Sequence, residues 1–292
     1  MTLQSFDVII LGTGLVESIC ASSCAQKGLS VLHLDTLDSY GQVFQAVSLE
    51  QIHSHFSTPL DLNQSRKYNL ELSSLLLYAQ GPLVKALQDS QVAAYLEFRA
   101  IETIHILINQ QWETVPLSKE DVFSNDAMTL IEKRRLMKFI TTASTTEVDT
   151  SDDQTSFHEY LNQLNLSKES VEMIMYALAL HDSAEPMSFK EGFEKTKQHV
   201  TSLGKYSKSA FLTGIYGTGS ELVQGFCRSC AVYGGTYILG CGIDNIQFKD
   251  SRFCLRTKEG TEYTSPRIIA SSDYHSFFPN MNIKAKSYAF FG

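Results

Sequence analysis

The chain has 292 residues, 43% of them hydrophobic and 19% charged, with a formal net charge of -8. That length gives core enough for one large domain or two modest ones. The acidic balance argues against nucleic acid as a partner, which needs a basic face, and leaves room for basic or lipidated protein partners.

No apolar run approaches the roughly 18 residues of a membrane span. No charged-then-apolar leader precedes the first strand, so no signal peptide is expected. The six cysteines, Cys20, Cys24, Cys227, Cys230, Cys241 and Cys254, lie in apolar periodic segments. That is the pattern of reduced thiols in a cytosolic protein.

Asp7 to Leu11 is a short apolar run, read as a buried parallel strand. The turn Gly12-Thr13-Gly14 follows, and helical spacing runs through Val16, Ile19, Cys20 and Ser23 to a stop at Gly28. A second strand, Val31 to Leu34, ends in Asp35 and completes a βαβ start. Ser39 to Lys67 is polar and reads as loop with short pieces. Gly81-Pro82 opens a helix, since proline suits the first helical turn. Ile101 to Ile108 and Trp112 to Val115 predict a hairpin around Asn109-Gln110-Gln111.

From Ser118, where S-x-x-D marks a helix start, the pattern is helical to about Leu203. One helix carries Met128, Ile131, Leu136 and Phe139, with the basic group Lys133, Arg134, Arg135 and Lys138 read as a solvated face. A polar linker, Thr141 to Gln154, precedes a capping box at Ser156-Phe157-His158-Glu159. Val171 to Leu180 reads as a core helix with a lipid-binding face as the alternative. Ser188 to Leu203 closes the block at Gly204. Mixed structure resumes at Phe211, with Gly217-Thr218-Gly219 before a helix from Ser220 to Tyr233. Strands follow from Thr236 to Leu239 and on to Ala270. The fold class is therefore α/β, of the FAD/NAD(P)-binding-like type, with an inserted all-helical domain. The expected division is 1–117 and 207–292 for the α/β part and 118–206 for the helical part.

In a dinucleotide site the glycines of G-x-G-x-x-G give a tight turn, backbone approach to the pyrophosphate, and close helix–strand packing. Gly12 and Gly14 are in place, and Asp35 stands where a ribose-binding acid belongs. The third position is Glu17. Its charge lies in the first helical turn, where it can serve the free amides itself. A pyrophosphate about 4 Å away would meet a repulsion on the order of 4 kcal/mol at an effective dielectric near 20. The fold signal is strong and the nucleotide signal weak. No catalytic set appears, and no cofactor or metal is expected. Cys227 and Cys230 have C-x-x-C spacing inside an apolar helix, and Cys20 and Cys24 lie one helical turn apart; both pairs read as structural thiols rather than zinc ligands. His53 and His55 lack a third ligand. Arg66-Lys67 is too small for a nucleic-acid patch.

Two segments resemble a known family. Gly12 to Ser18, Val31 to Asp35 and Tyr40-Gly41 are similar to the N-terminal signature of the Rab GDP-dissociation inhibitor and Rab escort protein superfamily, where a glutamate commonly replaces the third glycine. The second signature is Tyr216 to Arg228, continuing through Ala231 to Tyr237. Gly225 to Val232, Glu132 to Phe139, Val115 to Phe123 and Ser65 to Leu72 resemble the escort branch.

The resemblance implies a non-enzymatic partner of GDP-bound Rab GTPases. Its Rab-binding platform would include Tyr40, Glu221, Arg228 and Thr236, with Ile238 where the inhibitors carry methionine. Ser39 and Thr36 depart from the common residues at their positions. The helical part would hold the geranylgeranyl lipid of Rab and dock the Rab geranylgeranyltransferase heterodimer, with His199 and Lys205 aligned to the docking residues. Such a protein works in the cytosol and touches membranes transiently. A Rab GDP-dissociation inhibitor is the alternative, and a flavin-dependent oxidoreductase a distant one. The family usually continues beyond this length, which implies a fragment, an alternative product or a divergent short member. The apolar run Tyr288 to Gly292 should pair within the sheet.

Overall fold

The computed structural model describes residues 4–53, 61–116, 118–125, 128–145 and 155–278, apart from the side chains of residues 66 and 119. His55 and the run Tyr288 to Gly292 lie outside the described residues. The chain forms two compact units. Unit 1 takes the stretch up to Leu75, Leu87–Glu97 and the stretch from Gly214; unit 2 takes Leu76–Ala86 and Phe98–Thr213. The helical block expected at 118–206 thus sits in a wider unit, because short strands on either side of it pair with one another.

Unit 1 begins with β1 (Gln4–Ser5), β2 (Val8–Leu11), α1 (Leu15–Gln26) and β3 (Val31–Leu34). The segment read as loop holds β4 (Ala46–Val47) and α2 (Leu49–Ile52), and β5 (Leu70–Glu71) follows it. Ser48 and Gln51 form a capping box at α2. Unit 2 holds β6 (Leu77–Tyr78) and the start of α3 (Pro82–Asp89), then β7 (Phe98–Ala100), β8 (His105–Ile108) and β9 (Gln111–Thr114). Its helices are α4 (Lys119–Ser124), α5 (Leu130–Thr145), α6 (Phe157–Gln163), α7 (Lys168–Met173) and α8 (Phe189–Ser202). After β10 (Phe211–Gly214), unit 1 resumes with α9 (Thr218–Val232), β11 (Thr236–Ile238) and β12 (Ile243–Lys249). It ends with β13 (Arg252–Thr257), β14 (Glu262–Ser265) and β15 (Ile268–Ala270).

The centre of unit 1 is a parallel sheet in the order β11-β3-β2-β15. Strands of such a sheet are covered on both faces, which is why β2 and β3 read as unbroken apolar runs apart from His33. Val8, Ile10 and Val31 face α1 and α9, packing with Ala21, Ala25 and Cys230. Ile9, Leu11, Leu32 and Leu34 face a second sheet, meeting Ile243, Leu255 and Tyr263. That sheet runs β1-β14-β13-β12.

The inward face of α1 is not the one its apolar spacing predicts. Val16 is exposed and Ser23 too, while Ile19 and Cys20 are half-buried. Leu15, Ser18, Ala21, Ser22 and Ala25 face inward instead. Small side chains let α1 and α9 approach closely, and hydroxyls stitch the seam. Ser18 Oγ lies 3.3 Å from Cys227 Sγ, and Ser22 Oγ donates to Ser229 Oγ at 2.9 Å.

The hairpin turns on two residues, Asn109 and Gln110, both at positive φ, so Gln111 belongs to β9. Left-handed φ at both central residues is the turn that matches strand twist. The caps at Ser118 and Ser156 form as the sequence predicts. The apolar segment from Val171 is mostly core: Val171, Met173, Ile174, Met175, Ala177, Leu178 and Ala179 are buried, while Tyr176 is exposed. It continues α7 as a π-helical turn, Ile174–Leu178.

The basic group on α5 is not uniformly solvated. Lys133 is 9% exposed, and its Nζ donates to the Phe123 carbonyl at 2.7 Å. It lies on the inward face beside Leu136, and the α4 carbonyl receives one of the three ammonium donors. Among the described residues no helix is long and apolar enough to cross a membrane.

Candidate functional site

The turn between β2 and α1 has the backbone of a nucleotide site. Gly12 has φ +96, a conformation that favours glycine. The space in front of it is filled. A side chain on Gly14 would meet Glu17 Oε2 at 2.5 Å and Gln42 Oε1 at 2.8 Å. The surface that the second glycine leaves open for a pyrophosphate is therefore occupied by a carboxylate and an amide of the chain itself. Burial pushes the Glu17 carboxyl above the usual glutamate range, with Asp273 and Asp35 adding to it, against a bond from its own amide.

Asp35 is equally committed. Its Oδ2 accepts from the Thr13 N–H and hydroxyl, both at 2.6 Å, and its Oδ1 accepts from Leu37 N–H at 3.0 Å. The Tyr274 hydroxyl lies 3.4 Å from Oδ1, and Asp35 is 1% exposed. It is a brace for the glycine turn, with no surface left for a ribose. Beneath it, His33 Nε2–H donates to the Gly12 carbonyl at 2.5 Å.

The second glycine turn starts α9. Glu71, a residue of β5, accepts from the Gly219 N–H at 2.9 Å and from Thr218, so a carboxylate from a distant strand caps this helix. Glu221 folds back to accept from the Tyr216 N–H at 3.3 Å. Burial raises both carboxyls above their usual range; for Glu221 the charges of Glu71 and Glu97 add to the shift.

Along α9 lies a cleft of about 390 Å³ lined by Tyr40, Tyr95, Glu221, Gln224, Arg228 and Tyr237 among others. The Arg228 guanidinium stands 4.8 Å from the Tyr95 ring centroid, a cation–π distance. Tyr40 and Tyr237 meet edge to face at 5.8 Å. The cleft thus joins Tyr40, Glu221 and Arg228 of the sequence-derived set. It does not include Thr236 or Ile238. Strand alternation turns those two away from Tyr237: Thr236 is exposed, and Ile238 packs partly buried against the opposite core. Tyr237 was legible from that alternation. Tyr95 and Gln42, in segments without periodicity, gave no sequence signal.

His199 is not a surface residue. It is 2% exposed in unit 2, edge-on to Tyr78 and Phe211 at 6.2 and 5.2 Å. Burial holds its imidazole neutral, with the pKa lowered to about 4, and its Nδ1 has no hydrogen-bond partner. Lys205 is exposed. Cys227 and Cys230 are buried free thiols, and Cys20 and Cys24 are half-buried. Among the described residues no three His, Cys, Asp or Glu side chains gather as metal ligands.

The sequence pattern described as GDP dissociation inhibitor matches residues 2–287. The chain belongs to the GDP dissociation inhibitor family. Within the family's relatives, the Rab proteins geranylgeranyltransferase component A of Drosophila melanogaster is 30% identical, aligned over 96% of this chain and 62% of its own length. The Rab GDP-dissociation inhibitor of Saccharomyces cerevisiae is 31% identical over 92% of this chain and 64% of its own. The chain therefore spans somewhat under two thirds of the length of these curated relatives. Among solved structures, the Rab GDI of Plasmodium falciparum superposes with a TM-score of 0.75 at 23% identity, covering 94% of this chain and 67% of its own. A putrescine oxidase superposes with a TM-score of 0.57 at 14% identity, covering 92% and 58%. These structures bear out the expected α/β fold.

The oxidoreductase likeness raises the question of a dinucleotide cofactor, and the residues of this family member do not fit one. Glu17 and Gln42 fill the pyrophosphate approach and Asp35 is spent on the turn. Glu17→Gly alone is expected to leave the protein colourless after incubation with flavin and desalting, since Gln42 and Asp35 still close the site. Stoichiometric visible flavin absorption in that variant would show that Glu17 was the whole barrier.

Proposed function

We propose that the protein is a Rab escort protein, an accessory to Rab geranylgeranyltransferase that does no bond chemistry itself. It binds GDP-bound Rab GTPases through unit 1, presents them to the transferase heterodimer for C-terminal prenylation, and carries the lipidated product through the cytosol to membranes. The observation that carries this reading is the α9 cleft, which gathers Tyr40, Glu221 and Arg228 into one open surface beside the closed nucleotide turn. Support comes also from the resemblance of both signatures and from the relative named as component A.

Unit 2 supports the lipid-holding part. An apolar groove of about 360 Å³ lies between α4, α5 and α8, lined by Val122, Met137, Ile140, Val200 and Leu203. A buried CH₂ contributes about 0.8 kcal/mol, so a polyisoprenoid chain gains strongly from such a slot.

The Rab GDP-dissociation inhibitor reading, which recycles prenylated Rab without recruiting the transferase, is favoured by one observation. Of the two residues aligned to the docking positions, His199 is buried. A reconstituted prenylation assay with and without the chain separates the readings. Escort function predicts Rab prenylation that depends on the chain; Rab–GDP binding without any support of prenylation points to the inhibitor. Arg228→Ala should weaken Rab–GDP binding at least about tenfold, as expected of an interface arginine worth 1.4 kcal/mol or more. Calorimetric titration giving an unchanged Kd would remove the α9 cleft from the interface.

A further inference from the structure

The exposed arginine of the α9 cleft meets an aromatic ring rather than a carboxylate. Among the described residues no ion pair includes Arg228, although Glu221 lines the same cleft. Its guanidinium instead stands over the Tyr95 ring. A ring face attracts the charge but supplies none of a carboxylate's lone pairs. The charge is held without being neutralised.

Tyr95 ends a short 3-10 turn, Val92–Tyr95, which neighbouring residues of unit 1 lock to α9. Val92 is fully buried. A Cβ on Gly225 of α9 would meet Leu96 Cδ2 at 3.0 Å and Val92 Cγ1 at 3.1 Å, so the turn is seated on the bare backbone of that glycine. Gln26 Nε2 donates both to the Ser90 carbonyl at 3.0 Å and to Ser229 Oγ at 3.1 Å, tying the entry of the turn to the same helix. Gln91, just before the turn, takes a left-handed φ of +61. A residue with a side chain keeps that conformation where its surroundings enforce it.

We propose that Tyr95 is a positioning residue for Rab–GDP binding, fixing the Arg228 side chain in the cleft before the GTPase arrives. The inference rests on the Rab-binding reading above, and adds to it the residue that prepares its arginine. An arginine on an exposed helix face samples many rotamers, and freezing them during binding lowers affinity. Here the fold does the ordering in advance. The seat at Gly225 serves the same end, because it brings the turn close enough to α9 for the ring of Tyr95 to reach Arg228.

The test is a double-mutant cycle on the full chain, read by calorimetric titration with an unprenylated, GDP-loaded Rab GTPase. Tyr95→Ala should weaken binding about fivefold in the parent chain. In an Arg228→Ala background the same change should cost less than about twofold, because no guanidinium is left to place. Tyr95→Phe keeps the ring and drops the hydroxyl, and should recover most of the loss. A general folding defect would weaken both backgrounds alike. In the free protein, the Arg228 Nε–H resonance should shift in Tyr95→Ala and hold its place in Tyr95→Phe, since a ring current acts only at close range. Equal losses in the two backgrounds, or Tyr95→Phe as weak as Tyr95→Ala, would make Tyr95 a direct contact and overturn the proposal. So would an Arg228 resonance indifferent to Tyr95→Ala. Those outcomes leave the Rab-binding reading standing. A parent chain that binds no Rab–GDP sinks that reading, and this inference with it.

Discussion

Gly192→Ala is expected to destabilise unit 2 by about 3 kcal/mol, an overpacking cost somewhat offset by alanine's better helix propensity. Gly192 lies inside α8, and a methyl group there would fall on the Phe157 ring of α6, against Cγ, Cδ1 and Cβ. Phe157 has nowhere to go. It is fully buried, anchored by its N–H to the Met187 carbonyl at 3.0 Å, and its ring packs against Phe139 and Tyr160. Thermal melts should show a loss of roughly 10 °C in the unit 2 transition. Phe157→Leu is costly alone, yet should cost less in the Gly192→Ala background than in the parent, because the two side chains compete for one space. Additive losses would mean that the helices separate by some other route.

Acid should begin to destabilise the protein near pH 6.5, where histidines of the unfolded chain take up protons. His33 and His199 are 0% and 2% exposed, and burial lowers each pKa from 6.5 to about 4. The folded state therefore refuses a proton that the unfolded state accepts. This contribution is complete above pH 6.5 and is lost as pH falls from 6.5 towards 4, about 2 kcal/mol per histidine by pH 5 and about 3 at the limit.

The two units should respond unequally. In unit 1 the raised carboxyls of Glu17, Glu71 and Glu221 oppose the loss, since their strain is relieved on protonation. In unit 2 Glu132 is held below its usual range: desolvation is outweighed by bonds from Ser167 and Ser170, and these are lost in acid. Calorimetry at pH 7 and pH 5 should find unit 2 falling further. His199→Phe suits the aromatic contacts with Tyr78 and Phe211 and should flatten the pH dependence of that transition. A pH response unchanged by this substitution would place the acid sensitivity elsewhere.

The sequence carried the parts of this fold that depend on burying large apolar groups or on local backbone chemistry. β2 and β3 were legible because both faces are covered, and the starts of α3, α4 and α6 because proline and serine caps act within four residues. The inward face of α1 was not, because Ser18, Ala21, Ser22 and Ala25 pack by being small. Lys133 was misread for a related reason: a cation enters the interior when one carbonyl at the right place receives it. At the site, Glu17 was legible as an obstacle. The role of Asp35 was not, since a ribose acceptor and a turn brace present the same residue at the same spacing. His199 shows the limit of aligning a motif, as position in a sequence does not say which way a side chain points.

The closed glycine turn has a consequence for competition. Glu17 stands three residues from Gly14 and Gln42 is held against the same glycine by the fold, so both stay at the turn at an effective concentration on the order of millimolar or more. Any free anion must outbid a ligand that never diffuses away. Free nucleotide and flavin are therefore expected to compete poorly for that turn, because Glu17 and Gln42 of the chain itself already stand against it.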